Sequence, residues 1–401
     1  QEVDAAVMMV LWSDLYALQQ TALINEASIA GMGLSLGLDE GLRLSISGFT
    51  DKQPELLTAA LAGLRVDPNQ QALDQAIDRF VRGLENRKRE LPFRQLGRTL
   101  ASLTRTGFYD EASLLDAVAE VTPTRFNAFV ERVLDTSLVR VYLFGNYDEA
   151  FADDLMQTLK RALPEERAGA TEYARERVYS PVPGQTLVKN TDLPVEDLGM
   201  MLLYAAPEAT VANEATSRVL ARHLRNRAFD TLRTEEQLGY AAGGLTTTLQ
   251  DHPMIGFYIQ TPVKGPVAML ERFEAFAGEY ALMLDELTEE QFANLKSGVL
   301  TQLTEPPTNL SDEAGPFIGD WNRERYNFSS RSEMIAAVEA VSLEAIRHYY
   351  RATVLASEPS RVLIQMRGER WQAEPFAAIE GATVIESVEA FHEQMPLQPL
   401  D

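Results

Sequence analysis

Side chains that could bind a catalytic metal are sparse in this 401-residue sequence. The four histidines are His223, His252, His348 and His392, and the two nearest in sequence lie 29 residues apart. No helix can therefore present two of them one turn apart, so neither H-E-x-x-H nor the inverted H-x-x-E-H is present. The sequence has no cysteine, which excludes thiolate ligands, disulfides and a cysteine nucleophile. We predict no metal site here; zinc bound by scattered histidines and carboxylates is the weaker alternative.

A serine in a glycine-flanked motif is a second candidate for chemistry. Residues 33–37 match G-x-S-x-G, with Ser35 at the position of the nucleophile. That motif requires a strand, a sharp turn and then a helix, so that the serine oxygen is exposed. Here residues 42–46 alternate apolar and polar after a short turn, which predicts a second strand. We interpret the motif as a hairpin, and the alternative of a self-sufficient serine hydrolase is disfavoured.

The most informative polar segment spans residues 231–240 and has the sequence T-L-R-T-E-E-Q-L-G-Y. Residue types alone indicate the end of an amphipathic helix that passes through Gly239 into a strand. In that interpretation Glu235 and Glu236 are solvated, and Tyr240 is an ordinary strand aromatic. The segment acquires a chemical interpretation only through the resemblance described below.

Helical periodicity dominates the elements that surround these candidates, with a few strand pairs between them. In the first half the pattern predicts helices near 3–28, 54–64, 68–90, 92–105, 111–120, 123–134 and up to 163, the hairpin of 33–47, and a strand at 138–144. In the second half it predicts strands at 185–189, 198–204, 240–249, 255–261 and 362–366, and helices near 266–286, 288–304, 310–325, 330–340 and 342–354. Strands grouped and then followed by runs of helices indicate an α+β fold.

The two halves repeat one another at a constant offset of 220 residues. Phe108 corresponds to Phe328 and Val118 to Val338, while Thr122 and Ser342 are matching helix N-caps. We therefore predict two homologous domains, 1–170 and 171–401, joined by a polar linker at 165–177. Each is expected to be a mainly antiparallel sheet with helices packed on one face. The first domain is expected to lack its opening strands.

The charge balance and hydropathy of the sequence indicate which kinds of partner the protein can have. Thirty-six basic against 59 acidic residues give a net charge of −23, which disfavours nucleic acid and anionic lipid and favours cationic peptides. The plainer interpretation of this charge is solubility. No run of 18 or more apolar residues predicts a membrane span. The opening Gln-Glu-Val-Asp, without an initiator methionine or a signal segment, indicates an internal piece of a longer polypeptide.

Three spaced motifs resemble the C-terminal half of the insulinase/pitrilysin family of zinc metalloendopeptidases. L-R-T-x-E-Q-L-G-Y at 232–240 resembles the family signature, G-F-T-D-K-Q-P-E-L-L at 48–57 resembles a second stretch, and Y-N-F-S-S-R at 326–331 a third. They occur in the order of the family, and the similarity extends from about Ala30 to the C-terminus.

The resemblance implies a periplasmic endopeptidase of four domains whose two halves close around a chamber. Zinc would be bound by an N-terminal half of the same polypeptide, which this sequence lacks, and the chain would supply the opposite wall. Arg233 would hydrogen-bond the main chain of a peptide substrate, Tyr240 would donate to the oxyanion, and Gly239 would let the chain leave the helix. The chain alone would be inactive. A dimer is left open, and the alternative is an inactive family member that acts as a binding or scaffold subunit.

Overall fold

The computed structural model describes residues 3–39, 41–163, 182–249 and 251–394, which fall into two compact units. The first unit comprises the chain up to residue 86 and again from 109. The second comprises residues 87–108 and the chain from 177 onward. The predicted linker and the boundary at 170/171 lie outside the described residues, so that division stays a prediction. Residues 87–108, however, cluster with the second unit, and not with the first as the sequence suggested.

The first unit is mainly helical and contains one antiparallel hairpin. Its elements are α1 (Val3–Gln19), α2 (Thr21–Ile29), β1 (Gly33–Leu38), β2 (Leu42–Ser47), α3 (Gln53–Ala62), α4 (Gln70–Arg87), α6 (Glu111–Ala119), α7 (Pro123–Thr136) and α8 (Glu149–Ala162). Trp12 and Tyr16 of α1 and Phe126 of α7 are fully buried in its core. The indole of Trp12 donates a hydrogen bond to the Leu64 carbonyl at 2.9 Å, so the largest core side chain is also satisfied.

The second unit is a six-stranded sheet with helices. Its strands are β3 (Thr186–Asp192), β4 (Leu198–Ala205), β5 (Ala241–Leu249), β6 (His252–Thr261), β7 (Arg361–Arg367) and β8 (Thr383–Val384). Its helices are α5 (Pro92–Thr104), α9 (Val211–Ala228), α10 (Pro266–Asp285), α11 (Glu289–Thr304), α12 (Leu310–Asn322), α13 (Ser330–Ala340), α14 (Leu343–Val354) and α15 (Val388–Gln394). The strand order is β5-β6-β4-β7-β3-β8.

The sheet is mixed, and helices cover both of its faces. β5-β6, β6-β4 and β4-β7 are antiparallel, whereas β3 is parallel to both of its neighbours. The α+β class and the mainly antiparallel pairing are therefore confirmed. The prediction of helices on one face is wrong, because every residue of β4 is buried and such a strand needs apolar cover on both sides. One face packs against α9, α10 and α14, and the other against α5 and α15.

Two pairs of positions that the sequence repeat equates have similar surroundings, whereas the duplication of a whole domain stays a prediction. Val118 in α6 and Val338 in α13 are both buried. The Thr122 side chain accepts a hydrogen bond from the backbone N–H of Arg125 at the start of α7, and Ser342 does the same for Ala345 at the start of α14. The two N-cap predictions are therefore confirmed.

The strand predicted at 138–144 is wrong. The structure assigns no strand to these residues, and Val141 and Leu143 instead pack against Leu57 and Leu155. Alternating apolar residues indicate only that one side of an extended segment is buried. A segment can be buried in this way without forming backbone hydrogen bonds to a neighbouring strand. No helix in the described part of the chain is both long and apolar enough to cross a membrane.

Candidate functional site

The segment that contains Arg233 and Tyr240 is the junction between α9 and β5. α9 continues directly into a π-helical turn, Phe229–Glu235, and β5 begins at Ala241. Leu232 within the turn and Leu238 just after it are buried, and the Leu238 N–H donates to the Leu232 carbonyl at 3.0 Å. Two apolar anchors thus fix a segment whose polar residues are exposed. Widened helical turns of this kind are found frequently at functional sites.

Two backbone features turn the chain from the helix into the strand. Gln237 has a φ of 53°, the left-handed conformation, which a non-glycine residue seldom adopts. A Cβ atom on Gly239 would lie 2.0 Å from the Gln260 carbonyl oxygen of β6. The left-handed conformation at the end of the helix therefore belongs to Gln237, and Gly239 is required because the two backbones approach closely.

An ion pair with α10 holds the same segment from outside. The Arg272 Nε lies 2.9 and 3.1 Å from the two carboxylate oxygens of Glu236, and its guanidinium also bonds Glu279. The hydrogen bond to Glu236 raises the pKa of Arg272 further above its usual range. Glu235 and Glu236 are both exposed as expected, and Glu236 is in addition paired with Arg272. Sequence gave no signal for this pair because Arg272 lies on a different helix.

Arg233 projects into solvent from the π-helical turn. Its guanidinium carbon lies 4.6 Å from the centroid of the Phe229 ring, which is a cation–π contact. No carboxylate partner is found for Arg233 among the described residues. The stacked ring orients the guanidinium and leaves its N–H donors available for a ligand.

Tyr240 lies immediately before β5 and is 55% exposed. Its ring meets Phe93 of α5 edge to face, with centroids 6.4 Å apart and planes at 84°. The hydroxyl has no hydrogen-bond partner in the part of the chain that the structure describes. Sequence reasoning missed Phe93, which is distant in the chain and reaches Tyr240 only because α5 belongs to the second unit. Arg233 and Tyr240 are thus two exposed donors on one short, anchored segment.

The other sequence candidates do not form a site. The His223 Nδ1 lies 2.8 Å from the Tyr280 hydroxyl, and burial, with a smaller effect of Arg227, lowers the pKa of His223 to about 4. The His252 Nε2 lies 2.6 Å from the Ala206 carbonyl oxygen. Among the described residues no three metal-ligating side chains cluster, so these residues do not fit a zinc site. Ser35 lies within β1, and no helix follows it.

Two stretches of the chain match models of peptidase M16 and PqqF-like domains, and no cluster of metal ligands is found among the described residues. Residues 1–117 match the family model described as the middle or third domain of peptidase M16. Residues 219–318 match the model described as PQQ synthase PqqF-like, C-terminal lobe domain 4. The second match includes the whole junction.

Whole-chain relatives complete the identification. The chain is 23% identical to protease 3 of Escherichia coli K12 over 98% of its own length, and 24% identical to human insulin-degrading enzyme over 84%. The crystal structure of pitrilysin superposes with a TM-score of 0.89 at 22% identity, covering 99% of this chain and 43% of that one. The chain is homologous to protease 3 over nearly its whole length and to insulin-degrading enzyme over most of it, so the predicted resemblance to the C-terminal half of the insulinase/pitrilysin family is confirmed. It spans 40% of protease 3 and 34% of insulin-degrading enzyme.

Proposed function

We propose that this chain is the non-catalytic C-terminal half of a zinc-dependent endopeptidase that degrades peptides in a closed chamber. Its partners would be peptide substrates and an N-terminal half of the same polypeptide, which would hold the zinc. The observation that supports this function is the exposure of Arg233 and Tyr240 on a junction anchored by Leu232, Leu238 and the Arg272–Glu236 pair. A solvent-exposed segment with no ligand would not need such rigid support.

Tyr240 is proposed to stabilise negative charge on the substrate. Attack on a peptide carbonyl places charge on its oxygen, and a phenol held in position donates its hydrogen bond most strongly to that charged state. The edge contact with Phe93 fixes the plane of the ring, while the hydroxyl stays unpaired within the described residues. No reorganisation of a competing hydrogen bond is then required when the substrate arrives.

Arg233 is proposed to position the peptide. A guanidinium presents several N–H donors in one plane and can bond successive main-chain carbonyls without reading side chains. Stacking on Phe229 already restricts the side chain of Arg233, so less conformational entropy is lost when a peptide binds. Arg233 would therefore contribute to substrate affinity and orientation more than to the chemical step.

Kinetics of the complete polypeptide test the role of Tyr240. Tyr240→Phe keeps the ring and removes the donor, so we expect kcat to fall by about 10²–10³ with an unchanged melting temperature. Tyr326, which is also exposed in the second unit, provides the control Tyr326→Phe with kcat near wild type. If Tyr240→Phe keeps more than about half of the wild-type kcat, Tyr240 is a packing residue.

A second variant separates positioning from chemistry. Arg233→Ala should lower kcat/KM by about tenfold or more with a smaller change in kcat, because peptide orientation is lost. Arg225→Ala, at an exposed position of α9, is the matched control. If Arg233→Ala and Tyr240→Phe both leave the kinetics unchanged, the alternative of an inactive binding or scaffold subunit is favoured.

Localisation and assembly are part of the same proposal. We expect the complete polypeptide in the periplasm, because the family resemblance points there. Fractionation of the producing cells is the direct measurement, and enrichment in the cytosol would contradict the expectation. Whether the complete protein forms a dimer is measured by light scattering.

A further inference from the structure

A cavity that the proposed function does not use is lined by α12, by α13 and by the loop between them. Its volume is about 230 Å³, and three of its lining residues are exposed, so solvent can enter it. Because one water occupies about 30 Å³ in the liquid, a group of several non-hydrogen atoms fits into the cavity. The lining residues are Pro316, Phe317, Asp320, Phe328, Arg331, Ser332 and Ile335.

Asp320 is the acidic residue of this lining, and its carboxylate is only partly satisfied. The residue is 4% exposed. Its Oδ2 accepts a hydrogen bond from the backbone N–H of Ser330 at 3.2 Å, and no donor contacts Oδ1 within the part of the chain that the structure describes. A buried carboxylate without enough partners costs free energy, so a ligand that brings a positive charge and N–H donors would bind favourably beside it.

Two arginines close to Asp320 are engaged with other groups. The Nη2 of Arg325 lies 2.6 Å from a carboxylate oxygen of Asp251. The Nε and Nη2 of Arg331 donate to two main-chain carbonyl oxygens at 2.8 and 3.0 Å. No ion pair of Asp320 is found among the described residues, so its negative charge remains available to a ligand in the cavity.

Two phenylalanine rings line the cavity together with Asp320. Phe317 and Phe328 meet with their centroids 5.9 Å apart and their planes at 63°. They are 37% and 38% exposed, so neither ring is buried in the core. The face of an aromatic ring attracts cations, and several rings around one carboxylate-lined space are typical of sites that recognise ammonium groups.

The backbone that carries one of these rings is strained. Phe328 has a φ of 53°, a left-handed conformation that is an outlier for so bulky a residue. Its N–H donates to the Arg325 carbonyl oxygen at 3.0 Å, which closes the turn. Glycine or asparagine would adopt this turn at lower cost. Strain of this kind is found at ligand-binding sites, and here it holds a half-exposed ring against the cavity.

We infer that this cavity binds an alkylammonium group. The cation pairs with Asp320 and lies against the rings of Phe317 and Phe328, while its alkyl chain contacts Ile335. The inference goes beyond the proposed function and does not rest on it, because no residue of the α9–β5 junction takes part. The same group occurs on the lysine side chains of a peptide and on free amines, and the experiments below distinguish these two sources.

Titration of the 401-residue chain with n-butylammonium chloride tests the inference, with n-butanol as the neutral counterpart at the same ionic strength. The NMR reporter is the backbone amide of Ser330, which is bonded to Asp320. Butylammonium should shift this amide saturably with a Kd on the order of 1 mM, as is reasonable for so small a ligand, and butanol should not. Equal shifts with both compounds, or no saturable shift up to about 50 mM butylammonium, would overturn the inference.

Two amino-acid derivatives distinguish the sources of the group. Nα-acetyl-lysine amide carries the ammonium as a peptide does, and Nα-acetyl-norleucine amide lacks the charge. Binding of the lysine derivative within about threefold of butylammonium supports recognition of peptide lysines, whereas binding of butylammonium alone supports a site for free amines. If the norleucine derivative binds as tightly as the lysine derivative, the cavity is merely apolar and the inference fails.

Protein variants assign the binding to this cavity. Asp320→Asn keeps an oxygen for the Ser330 N–H and removes the charge, so binding of butylammonium should weaken at least about tenfold. Phe317→Leu removes one ring and should weaken it about threefold. Glu339→Gln, which removes one charge from an exposed position of α13, is the control and should bind within about twofold of wild type.

Unchanged binding in Asp320→Asn would contradict the inference. Should that variant fail to fold, the comparison of butylammonium with butanol on the wild-type chain is decisive, because it requires no substitution.

Discussion

The two units each contain a helix that leads into a hairpin, and the two junctions differ in what they expose. In the first unit, α1 and α2 lead to β1, and the residue before that strand is Met32, only 6% exposed, whose sulfur accepts the Phe49 N–H at 3.0 Å. In the second unit, α9 and the π-helical turn lead to β5, and the residue before it is Tyr240, 55% exposed. An apolar side chain can close such a junction, so the fold does not require an exposed phenol. Tyr240 is therefore explained better by a ligand than by packing.

The largest effect is expected where the second junction is most tightly fixed. Gly239→Ala places a methyl group against the Gln260 carbonyl oxygen, so we expect a loss of about 3 kcal/mol in unfolding free energy. Gly278→Ala is the control, because a Cβ there meets nothing within 4 Å and α10 should gain up to about 1 kcal/mol. The measurement is urea denaturation of both variants. Equal stability of the two would mean that the junction is loose and that the comparison fails.

The second prediction compares the two residues directly. Met32→Ala should cost about 2–3 kcal/mol, because it empties a buried position, whereas Tyr240→Ala should cost less than about 1 kcal/mol. Hydrogen exchange measured by mass spectrometry reports each unit separately, which is needed because a two-unit chain need not unfold in one step. A cost for Tyr240→Ala as large as that for Met32→Ala would assign Tyr240 a packing role.

The third prediction distinguishes the units by pH. The pKa of His223 falls from 6.5 to about 4 on folding, so the unfolded state binds the proton first as pH falls below 6.5. His223 should therefore destabilise the second unit by about 2 kcal/mol between pH 7 and 5, with no cost above that window. All four histidines lie in the second unit, so the first unit should lack this effect. His223→Gln should flatten the pH dependence of stability, and an unchanged slope would contradict the prediction.

The smallest effect is expected at the ion pair that supports the junction. Arg272→Met should cost about 1 kcal/mol, because the guanidinium is only partly exposed and bonds both Glu236 and Glu279. The amide of Leu238 should then exchange faster, since Glu236 no longer holds the turn. Arg79→Met, which breaks an exposed pair with Asp14 in the first unit, is the control and should be nearly neutral. Equal costs for Arg272→Met and Arg79→Met would show that the pair does not fix the junction.

Most of the helices and strands were predictable from local sequence patterns, because the residues that define each element lie only a few positions apart. Thr122 and Ser342 show this best, since an N-cap is a contact between residues three apart. The parallel pairing of β3 with β7 was not predictable, because 175 positions separate the paired residues Thr186 and Arg361 and no local pattern encodes that choice.

For the candidate site, the sequence predicted which residues take part but not how they are exposed or supported. The chemistry of Arg233 and Tyr240 came from a family motif, and the structure adds the exposure and the supports that the motif does not encode. Phe93, Arg272 and Gln260 each contact the junction from a distant part of the sequence. The steric limit that β6 imposes on Gly239 cannot be read from residues 231–240.

The position of α5 also constrains how the chain is made. One face of the sheet, which includes Ile364 of β7, is covered by three leucines of this helix, Leu96, Leu100 and Leu103. A ribosome releases residues 92–104 well before residues 361–367, and at about 5–20 residues per second the interval is on the order of 10–50 s. During that time the sheet face that covers these leucines is incomplete, because β7 lies between β4 and β3. Newly made chains are therefore expected to need a chaperone that shields α5 until the last strands have been translated.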